Sequence, residues 1–115
     1  MSITKYNKTG NKFNISISED SQFISLAELY SDYGNKVHKM KMFYINKKSR
    51  YGEHAVVYTG DYLVDIPQHM TETFKQIYND DEIIDDINNG RVGFSVVKYT
   101  KNHKQCYSIK FVDIF

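Results

Sequence analysis

Pro67 is the only proline in the chain, and it divides two kinds of pattern. Before it, from Val37 to Ile66, short runs of Met, Phe, Tyr, Ile and Val are broken by Gly52 and Gly60, which reads as strand. After it, Met70, Phe74, Ile77 and Tyr78 continue from Ile66 at helical spacing. Proline lacks the backbone N–H that a first helical turn leaves unpaired, so it suits the point where sheet gives way to helix. The spacing predicts an amphipathic helix over 67–78. A second short helix follows through Asn88, capped by Asn79 or Asp80, with Ile83, Ile84 and Ile87 inward and Gly90 at its end. Val92 to Thr100 and Gln105 to Ile114 then read as two strands joined by the basic turn Lys101 to Lys104.

Three strands are expected before the proline. The first runs from Val37 to Ile45, with Met40, Met42 and Tyr44 assigned to the core and Lys39, Lys41 and Phe43 to the other face. His54 to Thr59 and Tyr62 to Ile66 form the next two, joined at Gly60-Asp61 by a tight hairpin turn. Upstream, Phe13 to Ile17 alternates with period two, as an edge strand would. Ser25-Leu-Ala-Glu28 has the spacing of a capping box for a helix that reaches about Tyr33 and stops at Gly34. With 115 residues, 41% hydrophobic and 25% charged, residues 1–115 read as a single domain, in which 1–35 extend a body over 36–115. Ten Tyr and seven Phe beside one Pro favour a mainly β class with minor α.

The formal charge of +1 hides a segregation along the chain. Residues 36–50 hold Lys36, Lys39, Lys41, Lys47, Lys48 and Arg50 and no acid, a segment charge of +6. Residues 61–86 hold eight acids against Lys75, a charge of −7, and fall mostly on the expected helices. Residues 91–110 return to +5 with Arg91, Lys98, Lys101, Lys104 and Lys110. If the two basic segments meet in space, a molecule with almost no net charge still offers a polyanion one cationic face. Cations alternate with aromatics in Lys39-Met-Lys41-Met-Phe43, Lys47-Lys48-Ser-Arg50-Tyr51 and Lys98-Tyr99-Thr-Lys101. Single-stranded nucleic acid is held by that pairing, cations on phosphates and rings under bases.

Catalytic signals are weak by comparison. His38, His54, His69 and His103 lie far apart, with no second His or Cys at a metal-ligand spacing. The run from Asp80 to Asp86 lacks the alternating ligands and central glycine of a calcium loop. Cys106, the single cysteine, has no evident activating partner and no disulfide mate. The chain is therefore expected to be no enzyme, without metal or cofactor. No apolar run approaches the ~20 residues of a membrane helix, and the first twelve residues are polar and basic, so a water-soluble cytoplasmic protein without membrane contact is expected.

From Val37 onward the order is strand, strand, strand, helix, strand, strand. In that order, and in Phe43-Tyr-Ile-Asn-Lys-Lys-Ser-Arg-Tyr-Gly52, Val64-Asp-Ile-Pro-Gln-His69 and Ile87-Asn-Asn-Gly-Arg-Val-Gly-Phe94, the chain resembles the small OB-fold single-stranded DNA-binding proteins of phages and mobile elements. The resemblance implies an OB-like five-stranded Greek-key barrel with a helix between strands 3 and 4, and low sequence preference. It implies contact across strands 2 and 3 and through the loops Asn46 to Gly52 and Lys101 to Lys104. The expected nucleic-acid-binding residues are Lys39, Lys41, Phe43, Lys47, Lys48, Arg50, Tyr51, Tyr58, Tyr62, Lys98, Tyr99, Lys101 and Lys104, with only two or three of the aromatics facing ligand. The alternative is a protein-interaction module, such as a small inhibitor of a nuclease or defence complex, that uses Asp80, Asp81, Glu82, Asp85 and Asp86. A third reading is a homo-oligomer paired through the edge strand Phe13 to Ile17.

Overall fold

The strand expected from Val37 to Ile45 forms, but it serves two sheets. In the computed structural model, which describes residues 13, 17, 20–47 and 52–114, its first part pairs on one side and its second part on another. The chain begins with β1 (Gln22–Ile24) and α1 (Leu26–Tyr33), followed by β2 (His38–Lys39) and β3 (Met42–Asn46). Then come β4 (His54–Tyr58), β5 (Tyr62–Asp65), a 3-10 turn over Gln68–Met70, α2 (Thr71–Tyr78), α3 (Asp81–Asn88), β6 (Val92–Lys101) and β7 (Lys104–Asp113). One sheet has the order β1-β5-β4-β3 and the other β2-β6-β7. The switch falls at Met40 and Lys41. The Met40 N–H donates to the Val92 carbonyl at 3.0 Å, and the next N–H, of Lys41, donates to the Tyr58 carbonyl at 2.9 Å. A strand bent in this way makes the corner between two sheets, and Met40 is fully buried inside it.

The mainly β class is what the chain adopts; the closed barrel is not. Among the described residues β7 does not pair with β5, so the strands after residue 36 leave a seam. The N-terminal extension occupies it. β1 lies parallel to β5, pairing Gln22 with Tyr62 and Ile24 with Val64, while α1 packs on β6 and β7. Across the seam Ser108 of β7 meets the 3-10 turn through side chains, with His69 Nε2 at 3.3 Å and Met70 Sδ at 3.4 Å. Of the expected strand Phe13 to Ile17, only the two end residues are described: Phe13 is buried and Ile17 half-buried.

Local chemistry accounts for the element ends. Ser25 Oγ accepts from the Glu28 N–H and donates to the Glu28 carboxylate, both at 3.1 Å, which opens α1; Gly34, at φ 62, closes it. Asp80 caps α3 by accepting from the N–H groups of Glu82 and Ile83. The helix expected from Pro67 begins as the 3-10 turn and becomes α-helical at Thr71, whose hydroxyl donates to the Glu53 carbonyl at 3.0 Å. Asn102 and His103, at φ 53 and 64, join β6 to β7 in a two-residue turn whose twist matches that of the strands.

Phe43 departs from the simple alternation. After the corner both faces of β3 are covered, so Met42 and Phe43 are buried side by side. The Phe43 ring packs edge to face on Phe74 of α2 at 5.0 Å and on Phe13 at 5.1 Å. Phe74 in turn touches Phe111 of β7 at 5.6 Å and so ties α2 to both sheets. Phe74→Ala should therefore lower stability to urea by about 3–5 kcal/mol, whereas Phe111→Ala, at a position 36% exposed, should cost clearly less. Equal losses in urea titrations would contradict this account of the core.

Candidate nucleic-acid interface

The sites expected from sequence divide into three groups. Phe43 and Tyr58, 1% and 5% exposed, are removed from any surface. Tyr58 is enclosed because Met42 and Leu63 flank it across the strands, while its hydroxyl donates to the Gly60 carbonyl at 3.4 Å. Val56 and Leu63 share that face and are buried too, so the middle of strands β4 and β5 is not an open platform for bases. Lys48, Arg50 and Tyr51 lie outside the described residues. Lys39, Lys41, Lys47, Lys98, Tyr99, Lys101 and Lys104 are exposed, and Tyr62 is half-buried. Lys47 stands at the rim of an apolar groove of about 640 Å³ beside β3, lined also by Ile17 and Tyr78.

Hairpin length separates the charges. Ten residues in each of β6 and β7, at about 3.3 Å per residue, make an arm roughly 30 Å long. From Val97 to Gln105 every residue is exposed, so the end that carries Lys101 and Lys104 projects into solvent, with Lys98 nearer its base. The acidic α3 enters at the opposite end, through Gly90 and Val92. An eight-residue helix is about 12 Å long and cannot bring its acids back to the turn. Part of that acid is also engaged locally, Asp80 at the helix cap and Asp86 with Arg91 at 3.2 Å.

The two basic segments meet on α1. The Lys98 ammonium, from β6, sits 5.7 Å above the Tyr30 ring, and the Lys36 ammonium 5.4 Å above the Tyr33 ring. Residues three apart are neighbours on one helix face, so the two cation–ring pairs stand one turn from each other. Further rings extend the band. Tyr30 packs on Tyr107 of β7 at 5.9 Å, and Tyr33 lies 6.3 Å from Tyr62 with the hydroxyls 3.2 Å apart. His38 joins edge to face with Tyr33 at 5.5 Å and backs onto Phe94. Tyr30, Tyr33, Lys36, His38 and Tyr107 are not among the binding residues expected from the sequence, although Tyr30 and Tyr33 at helical spacing ahead of Gly34 are a visible sign.

The cations of β2 and its corner lie over glycine turns. The Lys39 ammonium lies over Gly90, where a Cβ would come within 3.3 Å of it, and that of Lys41 lies over Gly60, where the distance would be 3.0 Å. Two titratable groups of the band are shifted. The hydrogen bond with Tyr33 first, then the Tyr33 charge, burial, and last the charges of Asp32 and Asp61, hold the Tyr62 phenol above its usual 10.0. Burial first, and the Lys36 charge second, push His38 below its usual 6.5.

Other histidines have local partners. The ring of His54 lies between the Gly52 carbonyl at 3.2 Å and the Asp65 carboxylate at 3.0 Å. Among the described residues no three His, Cys, Asp or Glu side chains are grouped to hold a metal ion, and no helix is long and apolar enough to cross a membrane. What the band offers is ring surface and ammonium groups in alternation. Comparison with protein families, with curated proteins and with solved structures gives no match.

The shift at His38 has a sign. Because the folded chain resists the proton that the unfolded chain accepts near its ordinary value, falling pH favours unfolding below about 6.5. His38→Phe keeps a ring against Tyr33 and Phe94 but does not titrate. Its urea midpoint, relative to the unchanged protein, should rise between pH 7.5 and pH 5.5; parallel midpoints would contradict the burial of His38.

Proposed function

We propose that the chain is a non-catalytic binder of single-stranded nucleic acid, built on an OB-like body whose seam is occupied by its own N-terminal strand and helix. The element order, the first strand shared between two sheets, and the helices between the third and fourth strands support the OB-like reading. The observation that carries the binding reading is the pair of cation–ring contacts on α1, where Lys36 and Lys98, one from each basic segment, stand over Tyr33 and Tyr30. A single strand following this band would rest bases on phenol faces. Its phosphates would run toward Lys101 and Lys104 on the arm. The contact surface is then α1 and the hairpin rather than the faces of β4 and β5, where Tyr58 is enclosed.

A labelled thymidine oligonucleotide titrated by fluorescence anisotropy tests the reading. If Lys36, Lys98, Lys101 and Lys104 neutralise about four phosphates, a slope of roughly −0.7 per contact predicts about a fifty-fold loss of affinity between 50 and 200 mM salt. Charge reversal at Lys98 and Lys101 should abolish binding, while Asp81→Asn with Glu82→Gln should leave it intact. Duplex of the same length should bind more weakly, because its bases are not free to stack. No binding at low salt, or binding indifferent to salt, would contradict the proposal.

A further inference from the structure

A cleft of about 250 Å³ opens beside the band, between the end of α1, β2 and the β4–β5 turn. Its volume lies just below the roughly 300–1,000 Å³ that drug-sized ligands occupy, which suits a single nucleobase. Tyr33, Tyr62 and His38 form its aromatic side, and Lys36 and Lys39 its cationic rim. Because the Tyr33 and Tyr62 rings meet edge to face with bonded hydroxyls, a base can lie against them but not between them.

One member of the cleft does not suit a site that only holds phosphates. Asp61 is an exposed carboxylate with no hydrogen-bond or ion-pair partner among the described residues. The turn fixes its position: the Asp61 and Tyr62 N–H groups both donate to the Thr59 hydroxyl, at 3.3 and 3.2 Å, and Gly60 supplies the positive φ of 99. An ionised carboxylate repels phosphate and can only accept hydrogen bonds. It gains most from a partner with two adjacent donors. On an unpaired base that partner is the Watson–Crick edge of guanine, whose ring N–H and amino group match the two carboxylate oxygens; thymine presents one N–H there, and adenine and cytosine an amino group without the adjacent ring donor. His38, whose Nε2 is buried without a partner among the described residues, also lines the cleft.

We propose that this cleft reads one base of the bound strand, with Asp61 selecting guanine over thymine. The inference rests on the single-strand reading, and one experiment separates the two. Anisotropy titrations at low salt would compare a nine-residue thymidine oligonucleotide with the same strand carrying one central guanine, or one central hypoxanthine, which keeps the ring N–H and lacks the amino group. The guanine strand should bind about five- to ten-fold more tightly than the thymidine strand. Hypoxanthine should forfeit most of that gain. Asp61→Asn should erase the preference and tighten binding of the all-thymidine strand, because a charge facing the phosphates is gone. Asp32→Asn is the control, since Asp32 also acts electrostatically on Tyr62 but does not line the cleft; it should tighten both strands alike and keep the preference. Equal affinity for both strands, or a preference that survives Asp61→Asn, overturns the base-reading role and leaves single-strand binding standing. Failure of every strand to bind overturns both.

Discussion

Two consecutive backbone hydrogen bonds hold the molecule's two sheets on one strand. Met40 donates to β6 and Lys41 to β4, in opposite directions, and the chain turns the corner between them. Everything else is positioned from that corner. It sends β3 under α2, so Phe43 enters the core against Phe74, and it leaves β2 beside β6, so His38 lies over Phe94. Had the strand stayed straight, Lys39, Lys41 and Phe43 would have shared one face and the sheets would have no common member. An unpaired backbone donor buried at Met40 would cost on the order of 1–3 kcal/mol, so the corner is fixed by necessity as well as by packing.

The open seam follows from the same geometry. With β6 and β7 anchored at the corner through β2, β7 meets the 3-10 turn after β5 through side chains, and the edge of β5 is available for β1. That leaves α1 to cover the inner half of the hairpin, which is how Tyr30 comes to Tyr107 and Lys98, and how Tyr33 comes to Tyr62 and His38. The extension thus completes the core and builds the surface where the basic segments meet. Electrostatics and fold are linked here: the hairpin that carries one basic segment away from the acidic helix also bears the lysine that returns to α1.

Much of the local architecture was legible in the sequence. Pro67, Gly60-Asp61, the Ser25–Glu28 spacing and the Lys101–Lys104 turn each encode their own element through backbone chemistry that needs no distant partner. The segment charges were equally plain, because charge is a property of sequence. What could not be read was long-range. Nothing in residues 37–45 marks Met40 as a corner, since its buried side fits a straight strand equally well. The aromatic residues were legible as a set but not by role: Tyr58 and Phe43 look like Tyr33 and Tyr107 in sequence, and only pairing across strands and the docking of α1 decide which are enclosed. The parallel edge beside β5 depends on a three-residue strand, too short to announce itself by alternation.

In the proposed complex α1 and the β6–β7 hairpin, rather than the faces of β4 and β5, carry the strand. Backbone amide shifts of isotopically labelled protein, followed by NMR as an unlabelled thymidine oligonucleotide is added at low salt, test it directly. The largest changes are expected at Tyr30, Tyr33, Lys36, Lys98 and Tyr107, fading toward Val56 and Val57 and absent from α3. Changes centred on β4 and β5, or on Asp81 to Asp85, would contradict it.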